Sequence, residues 1–195
     1  MTRYAKKLKF VRLFTMPLIQ VMLFVFIGVL SYAAPVFALP EDKIKAAYIY
    51  QLAHFVTWPD KQSAEKTLTI CIFGKDDIIN ELSAFHMIQD GNSILKVMVH
   101  ENIEDTFDCK IIYISNIKDG GMRVVLDRLH NKPILTVSSV KNFVREGGMI
   151  GFVSMNNKIV MEINHTSALY AGLNLNAKLL EVANTVIAGS SGSDY

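Results

Sequence analysis

Between residues 41 and 56, apolar side chains recur every three or four positions. Ile44, Ala47, Tyr48, Leu52, Phe55 and Val56 fall on one face, which predicts an amphipathic helix. Trp58-Pro59 stops it, because the residue before a proline is pushed out of the α region. Residues 68–73 are a short apolar run ending at Gly74, the pattern of a strand buried on both faces. Asp76-Asp77 then caps a helix running to about His86. Residues 95–99 and 111–115 read as the second and third strands, and a helix over 122–130 follows Asp119-Gly120-Gly121. Pro133 opens a fourth strand over 134–137, and Ser138 or Ser139 caps a short helix that Gly147-Gly148 ends. Residues 149–153 and 159–163 form a hairpin around Asn156-Asn157, with no room for a helix between them. A last helical region spans 166–186, with Gly172 as its break.

Strands alternating with helices imply an α/β fold: a mostly parallel sheet, helices on both faces, and right-handed crossovers. The late hairpin adds a C-terminal antiparallel element at one edge. The chain carries no internal repeat and no linker, so residues 39–188 read as one domain. Residues 189–195 are a Gly/Ser tail with no core residues.

Composition changes the picture at the N-terminus. The chain is 51% hydrophobic and 19% charged, but from Phe14 to Phe37 it carries no charge at all. Arg3, Lys6, Lys7, Lys9 and Arg12 precede or open that stretch, and Ala33, Ala34 and Ala38 offer small residues for cleavage. A basic start, an apolar stretch and a small-residue site make a secretory signal peptide, here residues 1–38, cut after Ala38. The same stretch is long enough to be an uncleaved anchor. Pro17, Pro35 and the small residues before Leu39 favour cleavage. Either way the domain lies in the periplasm, where ATP and NAD are not freely supplied, which argues against a kinase or a dehydrogenase. Without residues 1–38 the net charge falls from +2 to −3. The basicity therefore belongs to the targeting segment and gives no reason to expect nucleic-acid binding.

Motifs for chemistry are sparse. His54, His86, His100, His130 and His165 show no HExxH and no pair at metal-ligand spacing. The glycines of 147–151 leave a helix and enter a strand, the reverse of a phosphate-cradling loop. Asp76-Asp77 follows a strand, where carboxylates can serve as acid or base, but helix capping accounts for them. No catalytic residue, cofactor or metal is expected, and nothing demands an enzyme. Cys71 lies inside the first strand and Cys109 at the entrance to the third, strands that are commonly neighbours in a doubly wound sheet. In an oxidising compartment this favours a disulfide; the alternative is two buried thiols packing as small hydrophobes.

Three stretches resemble the YfiR-like family of periplasmic proteins. They are Lys45-Ala46-Ala47-Tyr48-Ile49-Tyr50 through Phe55-Val56-Thr57-Trp58-Pro59, then Leu68-Thr69-Ile70-Cys71-Ile72-Phe73-Gly74, and an ending from Gly147-Gly148-Met149-Ile150-Gly151-Phe152 through Glu162-Ile163-Asn164 to Ala171-Gly172-Leu173 and Lys178-Leu179-Leu180. The resemblance implies a small non-enzymatic α/β domain that forms a homodimer. It further implies repression of a membrane-bound diguanylate cyclase through the cyclase's periplasmic domain. That lowers cyclic-di-GMP and biofilm formation, and an OmpA-like outer-membrane lipoprotein sequesters the repressor. Some members carry a second cysteine pair near residues 147–151, whereas this chain has only Cys71 and Cys109.

Four residues are candidates for ligand or partner contact. Trp58 and Phe152 are aromatic anchors if they reach the surface and core residues if they do not. Asn174 and Asn176 precede the final helix, where they either cap it or hold an anionic or purine-like ligand. Two functions therefore stand: a regulatory protein that inhibits a membrane cyclase by contact, and a periplasmic module binding a small aromatic or nucleotide-like solute for a membrane sensor.

Overall fold

Alternate residues of the central strands face two different cores. The computed structural model describes residues 39–59, 67–85, 89–90, 93–115, 117 and 121–188. Residues 1–38, expected to be a signal peptide, His86 and the Gly/Ser tail lie outside the described residues. Ile70, Ile72, Ile111 and Tyr113 pack into one apolar cluster, and Cys71, Ile112 and Ile114 into a second. Because side chains alternate across a strand, the two clusters lie on opposite faces of the sheet.

The strands are β1 (Val56–Thr57), β2 (Thr67–Phe73), β3 (Gln89–Asp90), β4 (Ser93–His100), β5 (Ile111–Ile114), β6 (Leu135–Ser138), β7 (Ile150–Met155), β8 (Lys158–Asn164), β9 (Asn174–Leu175) and β10 (Thr185–Ile187). Eight of them form one sheet in the order β10-β8-β7-β6-β5-β2-β4-β3, and β1 pairs with β9 in a separate ribbon. The contacts β2–β4, β2–β5, β5–β6, β6–β7 and β8–β10 are parallel, while β7–β8 and β3–β4 are antiparallel. The fold is α/β with a mostly parallel sheet, as the alternation predicts.

On the first face, α1 (Glu41–Leu52) buries Ala46, Ile49 and Leu52, and α2 (Ile78–Ser83) buries Ile78 and Leu82. On the second, α3 (Gly121–Leu129) buries Met122, Val125, Leu126 and Leu129 beside Phe143. The face that α1 buries is rotated from the expected one. Ala46, Ile49 and Leu52 point inward at three-residue spacing, while Ala47 and Tyr48 are exposed. The helix also ends at Leu52, since the chain must turn there to feed β1.

The hairpin β7–β8 turns on Asn156 (φ 50°) and Asn157 (φ 62°), the double positive φ that a two-residue primed turn requires. Two regions depart from the sequence pattern. No helix forms between Ser138 and Gly148. Asn142 adopts φ 63° and Gly147 φ 108°, so successive turns carry Phe143 into the core instead. The single C-terminal helix is also replaced by four short elements. Gly172 (φ 73°) stops α4 (His165–Tyr170), and Asn176 caps α5 (Ala177–Glu181). Thr185-Val186-Ile187, all three β-branched, extend as β10, parallel to β8 and outside the hairpin.

Candidate functional site

The disulfide joins neighbouring strands. Cys71 pairs across the ladder with Ile112, and Cys109 lies two residues before β5; the two Cα atoms are 6.0 Å apart. Both residues are buried.

The carboxyl ends of β2, β5 and β6 hold a polar network that the sequence did not announce. From β2 the chain goes to β4 on one side and then to β5 on the other, so the strand order reverses between β2 and β5. In open α/β sheets, ligands enter at such a reversal. Here the protein's own groups occupy it. The Tyr113 hydroxyl lies 3.2 Å from Asp76 Oδ2 and 3.2 Å from Ser139 Oγ. Asp76 Oδ1 accepts from Ile78 N–H at 3.1 Å, fixing the start of α2. Ser115 donates to the Phe73 carbonyl at 2.9 Å, and Ser138 to the Ile114 carbonyl at 2.6 Å. Gly74 has φ 92°, and a Cβ there would collide with Ser115 Oγ. Three loops are thereby tied together.

Burial, reinforced by the neighbouring Asp76 carboxylate, pushes the Tyr113 phenol well above its ordinary 10.0, although the Ser139 hydrogen bond opposes this. The folded state holds this proton more tightly than the unfolded chain does. Its contribution to stability is therefore complete below pH 10 and is lost as pH rises toward the raised value. Tyr113→Phe should cost about 1–2 kcal/mol at pH 7, read from urea midpoints. The wild type should lose part of that advantage above pH 10. An advantage that is unchanged at high pH would contradict the buried neutral phenol.

The four sequence candidates divide. Phe152, a candidate contact whose default reading is a core residue, is 3% exposed and belongs to the core; the alternating register of β7 turns it inward. Tyr48, whose ring centroid is 6.0 Å from that of Phe152, is the aromatic that reaches the surface. Trp58, Asn174 and Asn176 come together at the β1–β9 ribbon. Thr57 pairs with Asn174, and Asn176 N–H donates to the Phe55 carbonyl at 2.8 Å. Asn176 caps α5 by accepting from Lys178 N–H at 2.9 Å, and Asn174 is exposed. Trp58 packs against the first core, with its indole Nε1 buried and without a hydrogen-bond partner.

Sequence reasoning missed the C-terminal rim. Leu169, Tyr170, Val182 and Val186 are all exposed, Tyr170 at 71% and Val182 at 68%. They lie on α4, after α5 and on β10, and among the described residues β10 is the edge of the sheet, bonded to β8 on one side only. An edge strand exposes backbone N–H and C=O groups ready to pair with another chain, and apolar side chains around it favour such a contact. Beside it lies a groove of about 430 Å³ lined by Tyr48, Ile159, Val160, Met161, Val182 and Asn184.

The fold is thus a two-faced α/β sheet with an apolar edge at β10. Residues 42–184 match the YfiR/HmsC-like family, and the chain belongs to that family. No curated protein matches it. Among solved structures, a conserved domain protein from Vibrio cholerae O1 biovar El Tor strain N16961 is 12% identical, with a TM-score of 0.48 over 76% of this chain and 60% of that one. The dehydrogenase part of multifunctional enzyme 1 from C. elegans is also 12% identical, with a TM-score of 0.30 over 67% of this chain and 45% of that one. The chain thus spans less than two thirds of either, and the family assignment rests on neither.

Proposed function

We propose that this protein is a periplasmic, non-enzymatic regulator that represses a membrane-bound diguanylate cyclase by binding the cyclase's periplasmic domain. Family membership supports the regulatory class. The observation that carries the contact mode is the apolar rim around the free edge of β10, where Tyr170, Val182 and Val186 stand exposed. A partner segment added to β10 would gain main-chain hydrogen bonds and cover those side chains. An OmpA-like lipoprotein competing for the same rim would release the cyclase, and homodimer formation is a third use of an exposed edge. Export with cleavage after Ala38 places the domain where these partners are.

Val186→Lys and Tyr170→Asp put charge where contact is apolar, at positions that reach the surface of the free protein. Each should weaken binding of the cyclase's periplasmic domain by about 30-fold or more, the loss of a 2 kcal/mol anchor, with an unchanged thermal midpoint. Titration calorimetry reads both proteins against the same domain. Affinity equal to wild type in both variants would remove the rim from the contact.

A second reading, a module for a small apolar or aromatic solute, is favoured by the groove beside Tyr48. Its 430 Å³ lies in the range of small-molecule sites. It shares Val182 with the rim, so a solute there would tune repression.

A further inference from the structure

His100 ends β4 with its Nε2 buried and without a hydrogen-bond partner. In the β2–β4 ladder Cys71 faces Met98 and Phe73 faces His100, so Cys71 and His100 lie on one side of the sheet. Cys109 reaches the same place from the end of a 3-10 turn over Ile103–Thr106, its N–H donating to the Thr106 carbonyl at 3.0 Å. The two sulfurs and a ring nitrogen of His100 all lie within 4.8 Å of one another. Both cysteines are buried, in the cluster that also holds Met98 and Phe107 at its border.

A buried ring nitrogen without a partner carries a desolvation cost, and a disulfide, a poor acceptor with no proton to donate, does little to offset it. Two thiolates and a neutral imidazole, by contrast, are a zinc donor set. Around tetrahedral zinc, with Zn–S about 2.3 Å and Zn–N about 2.0 Å, donor atoms sit about 3.5–3.8 Å apart. The sulfurs would have to separate and the imidazole to approach by about 1 Å, within the reach of side-chain rotation.

We propose that reduction of the Cys71–Cys109 disulfide creates a zinc site held by Cys71, Cys109 and His100, with one coordination position open. The chemistry balances with a dithiol as reductant. It supplies two electrons and two protons, the S–S bond breaks, two thiols form, and the reductant becomes a disulfide. Zn²⁺ then binds both sulfurs as thiolates, and two protons pass to solvent. The site is separate from the partner contact on β10 and stands or falls without it.

The test uses the purified full chain, reduced with a phosphine, freed of reductant without air, and titrated with Co²⁺ as a spectroscopic stand-in for Zn²⁺. One equivalent should produce thiolate-to-cobalt charge transfer and the visible bands of tetrahedral cobalt, both abolished by Zn²⁺. The unreduced protein should show neither. His100→Gln should weaken Zn²⁺ binding, measured against a competing chelator, by more than the roughly 10–100-fold that changes outside the ligand shell cost. Reduced wild type without cobalt bands at one equivalent overturns the site. So does a His100→Gln variant that holds Zn²⁺ as tightly as wild type. Should reduction unfold the chain, added Zn²⁺ is expected to restore native circular dichroism, and a reduced chain that stays unfolded in Zn²⁺ overturns the proposal equally.

Discussion

Replacing both cysteines, Cys71→Ala with Cys109→Ala, should lower stability by about 4 kcal/mol and the thermal midpoint by roughly 8–16 °C. The bond closes a loop with a sequence separation of 38 residues. In the chain-entropy model, a crosslink over that span removes close to this free energy from the unfolded ensemble. Its position adds to the effect. It ties β2, which lies between β5 and β4, to the entrance of β5, and that register places Tyr113 beside Asp76. Alanine fills the space of a half-cystine incompletely, so the loss of packing acts in the same direction. Calorimetry of the double variant beside wild type measures the shift. A midpoint within about 2 °C of wild type would mean that the bond contributes little to the folded state's advantage.

The central architecture was readable from the chain because its signals are local. Residues 68–73 and 111–115 are apolar runs bounded by Gly74 and by polar residues, and Asn156-Asn157 marks a tight turn within two residues. The disulfide followed from placing Cys71 and Cys109 on strands that the topology makes neighbours. The C-terminal third was harder for a physical reason. α4, β9, α5 and β10 are each two to six residues long, too short for a 3.6-residue period to be told from a two-residue one. Only tertiary pairing, with β8 and with β1, decides what they become. Phe152 illustrates the same limit, since one step of strand register separates a core aromatic from a surface one. The Tyr113–Asp76–Ser139 network and the meeting of His100 with the cysteine pair join residues far apart in sequence, and no spacing rule reveals them.

Deleting the gene should raise cellular cyclic-di-GMP, and restoring the chain should bring it back down. A soluble domain silences a membrane enzyme only by binding one conformation of it more tightly than another. Moving the cyclase from almost wholly active to almost wholly inactive takes a differential affinity of about 10⁴-fold, roughly 5.5 kcal/mol. Exposed ion pairs contribute about 0–1 kcal/mol each and cannot supply this. Two or three buried apolar anchors can, and Tyr170, Val182 and Val186 stand exposed at the edge strand where such anchors are needed. The most direct measurement is cyclic-di-GMP in the deletion strain, with the partner cyclase present, complemented in parallel by the wild-type chain and by Val186→Lys. Repression restored by wild type and not by an equally abundant Val186→Lys is the expected result, whereas cyclic-di-GMP that neither deletion nor wild-type complementation changes would contradict repression by contact.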